Sequence, residues 1–233
     1  MQVLFPFPPP VLVPVQGGVS CVPVRRIFCV GRNYAEHARE MGAVDQAQGL
    51  EPPFFFTKPA DALVTGEGEL SVAYPPRTGN LHHEVEMVVV LGGGGSKLTV
   101  DQAQSLILGY AVGLDLTRRD LQARAKEKGH PWDMSKGFDQ SAVCGPLALV
   151  SDCGHPQAGE ICLRVNGEVR QAGDLSEMMW KVPQIIAELS ELVGLAAGDL
   201  IYTGTPAGVG PLQRGDRLLG TVAGLPSLRA RIV

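Results

Sequence analysis

The sequence predicts an α+β fold in which strands outnumber helices. Apolar, β-branched segments that end at glycine or another turn residue are more frequent than segments with helical periodicity. The two kinds of segment do not alternate strictly, which argues against a parallel βαβ architecture. The 29 glycines and 18 prolines in 233 residues exceed average usage without a collagen-like repeat, and they indicate many turns.

Five segments carry the strand pattern. One of them contains Asn166-Gly167, the dipeptide typical of a two-residue type I′ hairpin turn. The segments are Arg26–Val30, Glu84–Leu91, Ile161–Gln171, Asp199–Thr203 and Arg217–Val233.

Four segments carry helix signals. Asn33 with Glu36 and Thr99 with Gln102 resemble capping boxes, and Pro183 suits the first position of a helix. The helices are expected to begin near Asn33, Thr99, Thr117 and Pro183 and to end near Gly42, Tyr110, Gly129 and Gly194.

The N-terminal region differs in composition from the rest of the chain. Residues 1–24 are rich in proline and lack the basic region of a signal peptide, so we expect an extended arm. Residues 25–233 show no internal repeat or linker and are expected to form one domain.

The composition excludes several functional classes. With 45% hydrophobic and 19% charged residues, the chain is not intrinsically disordered. A net charge of −4 provides no basic surface for nucleic acid. The longest apolar run, residues 106–114, is far shorter than the roughly 20 residues of a membrane span. Five scattered cysteines without a CxxC pair predict reduced thiols and a cytoplasmic protein.

Two glutamates at the start of a predicted strand suggest a metal site. Residues two apart in a strand share a face, so Glu84 and Glu86 project together. Adjacent carboxylates repel one another, and a hard divalent cation such as Mg²⁺ or Mn²⁺ would relieve the repulsion. The alternative interpretation is a solvated strand face with two surface glutamates.

A third carboxylate follows the longest apolar run. Asp115 comes directly after residues 106–114, and a buried charge needs a partner. Asp115 is therefore a third candidate ligand. Hydrogen bonds to the local backbone are the alternative explanation.

Further polar residues are candidates for acid–base chemistry. On a helix, His37 and Glu40 would share one face, and a carboxylate beside imidazole fixes its tautomer and suits a general base. Lys136 lies in a polar segment and could stabilise a developing enolate. A surface ion pair and a solvated lysine are the respective alternatives.

Taken together, the motifs resemble the fumarylacetoacetate hydrolase family, in particular its small acylpyruvase-type members. The resemblance extends from about Arg25 to the C-terminus. It rests on VGRNYAEHAREMG, PPFFFTKPADALV, NLHHEVEMVVVLG, YAVGLDLTRRDLQ, KGHPWDMSKGFDQ, LRVNGEVRQ, GDLIYTGTPAGVGPL and GDRL.

The resemblance implies a fold, an assembly and a set of site residues. The fold would be the β-rich roll of that family with a few short helices, and the protein would be a homodimer that uses Mg²⁺ or Mn²⁺. The implied metal ligands are Glu84, Glu86 and Asp115. The implied catalytic residues are His37 and Glu40, on a lid, and Lys136. Arg119, Gln122 and Thr205 fall at positions that contact substrate in relatives.

The implied reaction is hydrolysis of a carbon–carbon bond in a 2,4-dioxo acid. His37 would activate a water molecule for attack on the C4 carbonyl, and the metal and Lys136 would stabilise the resulting pyruvate enolate. Fumarylpyruvate and simpler acylpyruvates both fit this scheme. The same residues would also suit oxaloacetate decarboxylation or tautomerisation, and a non-catalytic ligand-binding domain is a third hypothesis.

Overall fold

The computed structural model describes residues 4–6, 8–42 and 51–233. Within them the strands are β1 (Leu12–Pro14), β2 (Cys21–Pro23), β3 (Arg26–Gly31), β4 (Phe54–Lys58), β5 (Leu63–Thr65), β6 (Glu69–Val72), β7 (Leu81–His83), β8 (Val85–Leu91), β9 (Ile107–Asp115), β10 (Thr117–Arg118), β11 (Ala142–Cys144), β12 (Ala148–Leu149), β13 (Glu160–Val165), β14 (Glu168–Asp174), β15 (Asp199–Tyr202), β16 (Gly210–Leu212), β17 (Arg217–Val222) and β18 (Leu228–Ile232).

The helices are short and lie between the strands. The α-helices are α1 (Ala35–Glu40), α2 (Val100–Ser105), α3 (Arg119–Lys128), α4 (Asp133–Lys136), α5 (Val150–Cys153) and α6 (Val182–Leu192). Single 3₁₀ turns occupy Ala60–Ala62 and Leu175–Glu177. In the parts of the chain that the structure covers, no helix has the length and apolarity needed to cross a membrane.

An eight-stranded mixed sheet forms the centre of the molecule. Its strands follow the order β4-β3-β15-β8-β9-β11-β5, with β12 pairing to β9. Strand β15 runs parallel to β3 and antiparallel to β8. Every residue of β8 is buried, because the sheet is covered on both faces.

A second sheet packs against the first. It has the order β14-β13-β17-β18-β6, and its apolar residues share one hydrophobic core with β8 and β9. A small sheet, β10-β7-β16, joins the segment before β8 to the segment after β9. This small sheet brings the ends of β8 and β9 together where the candidate site lies.

The predicted strands are confirmed. All five segments contain strands, and Asn166 and Gly167 have φ values of 53° and 88°, as the type I′ turn between β13 and β14 requires. The Pro-rich arm contributes the hairpin β1–β2, whose Val13 is buried in a second apolar cluster. Residues 1–3 and 7 of the arm lie outside the described residues.

The predicted helices are confirmed in place but not in every boundary. The capping box of Thr99 and Gln102 is present, α3 ends at the left-handed Gly129, and α6 begins with Pro183 near its N-terminus. Helix α2, however, ends at Ser105 and the apolar residues that follow form β9. Pairing with β8 outweighs the helical periodicity there, because a short apolar run fits either structure.

Two predicted helix caps are wrong. Asn33 does not cap α1: its side chain bonds to backbone groups of Thr203 and Trp180 instead. Thr117 lies in β10, and its hydroxyl donates to Glu84 at 3.2 Å. Both polar side chains serve distant segments of the site instead of their own helix.

Candidate active site

Three buried carboxylates converge at the ends of two central strands. Glu84 joins β7 to β8, Glu86 is the second residue of β8, and Asp115 is the last residue of β9. The Asp115 backbone N–H donates to the Glu84 carbonyl at 2.9 Å, which keeps the two strands in register. One carboxylate oxygen from each residue lies within 4.8 Å of the others. The shared face predicted for Glu84 and Glu86 is therefore confirmed, and Asp115 joins it.

Glu86 is held by the chain that follows β15. The backbone N–H of Gly204 donates to Glu86 Oε2 at 2.7 Å. Gly204 has a φ of +96°, and an added Cβ would lie 2.7 Å from the Cβ of Asn33. A glycine is required here because it tolerates both the left-handed backbone and the close approach.

Glu84 is balanced by two cations. Lys136 Nζ lies 2.8 Å from Glu84 Oε2, and Arg119 Nη2 lies 2.5 Å from Glu84 Oε1. Burial opposes the charge of Glu84, but Lys136 and Arg119 outweigh that effect and hold the pKa of this carboxyl well below its usual range. Burial likewise opposes the charge of Lys136, and the Asp115 and Glu84 carboxylates overcome it and raise the pKa of the lysine.

Asp115 is held between two lysines. Lys136 Nζ lies 2.7 Å from Asp115 Oδ2, and Lys58 Nζ lies 2.7 Å from Asp115 Oδ1. Lys58 is fully buried and also donates to the carbonyls of Leu116, at 3.2 Å, and of Lys136. One ammonium group thus fixes the end of β9 and the end of α4 together.

The donor set fits a hard divalent cation. Burial, Asp115 and Glu84 raise the pKa of Glu86 well above its usual range, despite the hydrogen bond from Gly204. Among the described residues, no lysine or arginine lies within ion-pair distance of Glu86. The three carboxylates offer three oxygen donors, and Glu86 among them has no lysine or arginine partner in the described residues. Such a set suits Mg²⁺ or Mn²⁺, which prefer oxygen ligands.

His37 and Glu40 form the predicted pair on α1. His37 Nδ1 lies 3.1 Å from Glu40 Oε2, and Glu40 also accepts from the backbone N–H of Gly208 at 3.3 Å. Burial lowers the pKa of His37, although Glu84 and Glu40 act in the opposite direction. With only 6% of its surface exposed, His37 is not part of a surface ion pair. A neutral imidazole in this position can accept a proton.

The remaining predicted residues lie in the same cleft and hold other parts of it. Gln122 accepts a hydrogen bond from Arg119 at 2.7 Å. The Thr205 hydroxyl donates to the Val85 carbonyl at 2.7 Å and accepts from Gln171 at 2.8 Å. Of the nine residues predicted from the sequence, the following line the cleft: His37, Glu84, Glu86, Asp115, Arg119, Gln122, Lys136 and Thr205. Glu40 borders it through His37.

The mouth of the cleft is aromatic and cationic. Phe54 and Trp132 meet edge to face with ring centroids 5.8 Å apart. The Arg32 guanidinium lies 5.9 Å from the Phe54 centroid, and Lys126 Nζ lies 5.3 Å from the Trp132 centroid. All four side chains line the cleft that contains the carboxylates.

Sequence reasoning missed three residues that build the site. They are Lys58, Asn33 and Gln171, all buried. The amide of Gln171 bonds to His83, to the Val85 backbone and to Thr205, and so connects the second sheet to the carboxylate strands. Lys58 closes a strand that contains three phenylalanines, and a lysine in such an apolar segment is a local signal of a buried charge. The other two carry no local signal, because their partners are far away in sequence.

Known proteins resemble this chain along most of its length. A model of the fumarylacetoacetate (FAA) hydrolase C-terminal domain matches residues 26–233. Over 181 residues the chain is 45% identical to a fumarylpyruvate hydrolase from a Ralstonia species, covering 78% of this chain and 93% of that protein. Over 219 residues it is 41% identical to the oxaloacetate tautomerase YcgM of Escherichia coli K12, covering 94% and 97%.

A solved structure resembles the whole chain. It is the crystal structure of fumarylpyruvate hydrolase from Pseudomonas aeruginosa in complex with Mn²⁺ and pyruvate. The TM-score is 0.95 and the identity 48%, with 100% of this chain and 99% of that chain covered.

Proposed function

The chain belongs to the fumarylacetoacetate hydrolase family, and on that premise we propose that it is a metal-dependent hydrolase of 2,4-dioxo acids. It would cleave an acylpyruvate such as fumarylpyruvate into pyruvate and a carboxylic acid. The observation that carries the proposal is the His37–Glu40 pair, whose buried His37 lies in one cleft with the three carboxylates while Glu40 stays partly exposed. A pair that activates water is needed for hydrolysis and not for the decarboxylation of oxaloacetate.

Glu84, Glu86 and Asp115 would hold the cation. When bound, Mg²⁺ or Mn²⁺ would supply positive charge beside the carboxylate and 2-oxo oxygens of the substrate. The Mn²⁺ in the related Pseudomonas aeruginosa structure supports this assignment. In this chain Lys58 and Lys136 fix the orientation of Asp115, so the donor oxygens are positioned before any ligand arrives.

His37 would act as the general base. Its Nδ1 is engaged by Glu40, which orients the ring and leaves Nε2 to take a proton from water. The hydroxide adds to the C4 carbonyl carbon. The C3–C4 bond then breaks, and its electron pair remains on the pyruvate fragment as an enolate. Protonation at C3 gives pyruvate, and the C4 fragment leaves as the carboxylic acid.

Lys136 would stabilise the enolate, with Arg119 beside it. Both cations already contact Glu84, so their charges are fixed in the cleft at no further cost of reorganisation. Arg119, Gln122 and Thr205 are proposed to contact the substrate. Thr205 and Gln122 are well ordered for that role by their own hydrogen bonds.

A second candidate is interconversion of the keto and enol forms of oxaloacetate, with decarboxylation as a related outcome. The similarity to an oxaloacetate tautomerase favours it. The same carboxylates and Lys136 would stabilise the enolate of oxaloacetate, and His37 would exchange the C3 proton in the tautomerisation, without activation of water. A non-catalytic binding domain is disfavoured, because the carboxylates, Lys136 and the His37–Glu40 pair are all present and close together.

We also propose that the protein is a cytoplasmic homodimer. The all-reduced cysteines are consistent with this compartment. Light scattering coupled to size exclusion gives the mass in solution, and a single species near 24.7 kDa would exclude the dimer.

The decisive experiment is a comparison of substrates with Mg²⁺ and with Mn²⁺. Loss of ultraviolet absorbance reports hydrolysis of fumarylpyruvate and acetylpyruvate, and the same wavelength range reports ketonisation of enol-oxaloacetate. Pyruvate release measures decarboxylation. Faster turnover of the dioxo acids is expected. Turnover of oxaloacetate alone would transfer the assignment to a tautomerase or decarboxylase.

A further inference from the structure

Two cations at the mouth of the cleft have no carboxylate partner in the part of the chain that the structure describes. Across the described residues, neither Arg32 nor Lys126 forms an ion pair, and the contacts of both charged groups are with aromatic rings. Burial lowers the pKa of Lys126, and Arg32 lowers it further by repulsion, so the two charges influence one another. Glu84 acts on Lys126 in the opposite direction, but within residues 4–6, 8–42 and 51–233 no carboxylate lies within ion-pair distance of either charge.

The backbone presents Arg32 in a conformation that L-residues seldom adopt. Arg32 has a φ of +57°, in the left-handed region, immediately after the last residue of β3. Asn33 then fixes the chain through bonds to Thr203 and Trp180. The guanidinium lines the cleft and lies over the Phe54 ring.

The charge of the cleft favours a ligand with two negative charges. Among the described residues, four cationic side chains and three carboxylates line it, so their summed formal charge is positive even before a divalent cation binds. At the inner end, Lys136 and Arg119 form ion pairs with Glu84. The excess therefore resides on Arg32 and Lys126 at the mouth.

We propose that Arg32 and Lys126 form a subsite for a second carboxylate, at the far end of an extended acyl group. The ligand class is a dicarboxylic 2,4-dioxo acid. Its 2-oxo acid end would lie at the three carboxylates, and its distal carboxylate would lie between the two cations. Phe54 and Trp132 form the wall beside a planar, unsaturated chain that connects the two ends. This subsite deepens the proposed function and rests on it for the position of the inner end.

The kinetic test compares a substrate that has the distal carboxylate with one that lacks it. In Lys126→Met the KM for fumarylpyruvate is expected to rise about tenfold, because a charge-assisted hydrogen bond is lost. The KM for acetylpyruvate and both kcat values should change less than about twofold. Arg32→Asn should behave in the same way, since asparagine tolerates the left-handed backbone.

The matched control is Lys128→Met on the same helix. Lys128 is exposed and does not line the cleft, so this variant should leave both KM values unchanged. Equal KM increases for the two substrates in Lys126→Met would overturn the subsite while leaving the hydrolase assignment intact. Oxaloacetate provides a further comparison, because its second carboxylate lies three carbons nearer the 2-oxo group. An increase in KM for oxaloacetate without one for fumarylpyruvate would also overturn the proposal.

A binding measurement tests the subsite without turnover. Fumarate and crotonate share the same unsaturated four-carbon chain. Fumarate has a second carboxylate where crotonate has a methyl group. Calorimetry on the Mn²⁺-loaded protein with pyruvate present should show tighter binding of fumarate, and Lys126→Met should remove most of that difference. If fumarate binds no better than crotonate, the subsite does not exist. If fumarate selectivity is present but no dioxo acid is hydrolysed, the proposed reaction fails and the subsite stands.

Discussion

The inner end and the mouth of the cleft are built by different means. At the inner end, Asp115 and Glu84 are buried and each contacts two cationic side chains. Their positions follow from β8 and β9, which pair along their length in the middle of the sheet. At the mouth, Arg32 and Phe54 are exposed, and the contacts there are between cations and aromatic rings. The inner end is fixed by the core, whereas the mouth depends on a few local contacts.

This difference separates the chemistry from the choice of substrate. A change at the inner end alters groups that balance one another, because a buried charge left without its partner is costly. A change at the mouth removes one contact in a solvated region and leaves the core intact. Substitutions at the two ends should therefore differ in size and in kind.

The largest effect is expected at the inner end. Glu84→Ala removes one of three candidate oxygen ligands and leaves Lys136 and Arg119 without their shared carboxylate. Binding of Mn²⁺, measured by calorimetry, and turnover of every substrate should both be lost. Circular dichroism checks that the variant is folded. Full activity of the unmodified protein in excess chelator would contradict the role of the carboxylates.

Substitution of His37 tests whether this residue activates the water molecule for hydrolysis. His37→Ala should reduce hydrolysis by about 10²–10⁴-fold, the usual contribution of a general base. Decarboxylation of oxaloacetate should fall much less, since loss of CO₂ forms the enolate without an activated water. Steady-state kinetics on both substrates measure the split, and equal losses would show that His37 does not act on water.

Substitution of Lys58 tests how much the inner end of the cleft depends on a buried side chain that contacts Asp115. Lys58→Met leaves Asp115 Oδ1 without its ion-pair partner and the carbonyls of Leu116 and Lys136 without their donor. Affinity for Mn²⁺ should fall about 10–100-fold, as for other groups that orient a ligand. The free energy of unfolding should decrease by about 3–5 kcal/mol. Lys128→Met, at an exposed position, should change neither quantity, and unchanged Mn²⁺ affinity in Lys58→Met would refute the orienting role.

Substitution of Glu40 should shift the pH profile of hydrolysis. Burial lowers the pKa of His37, while the hydrogen bond and charge of Glu40 raise it. Glu40→Gln removes the charge, so His37 should stay neutral to a lower pH. The acid limb of kcat/KM, expected below the ordinary value of 6.5, should move further to the acid side. A shift to higher pH would contradict this account.

The smallest effect should occur outside both ends. Thr99 caps α2 through its side chain, which accepts from the Gln102 N–H at 3.3 Å. Thr99→Ala should lower the unfolding free energy by about 1 kcal/mol and leave kcat and KM unchanged. Denaturant titration and kinetics measure the two quantities. A change in KM would mean that α2, which does not line the cleft, nevertheless affects substrate binding.

The sequence predicts the fold class and most of the site, because those signals are local. The β-rich fold expected from the family resemblance is confirmed by the match over residues 26–233 and by the similarity to the Pseudomonas aeruginosa structure. The alternation that places Glu84 beside Glu86 and the helical spacing of His37 and Glu40 each operate over a few residues. Such patterns follow from backbone geometry alone.

The errors occur where distant segments compete with local preference. Asn33 has the sequence of a helix cap but bonds to Trp180 and Thr203, which lie in loops far away in sequence. The residues after Ser105 have helical periodicity but pair with β8. Lys58 would have required knowledge that β4 ends beside Asp115. None of these partners is visible within a sequence window.

The pairing of β15 sets the order in which the site can be made during translation. Strand β15 lies between β3, which leads into α1, and β8, which carries Glu86. The segment after it supplies the Gly204 N–H to Glu86 and the Thr203 carbonyl to Asn33. A nascent chain that ends before residue 199 contains all three carboxylates and the His37–Glu40 pair, but not the strand that lies between β3 and β8. The contacts to Glu86 and Asn33 are therefore complete only after residues 199–204 have been synthesised, late in the chain.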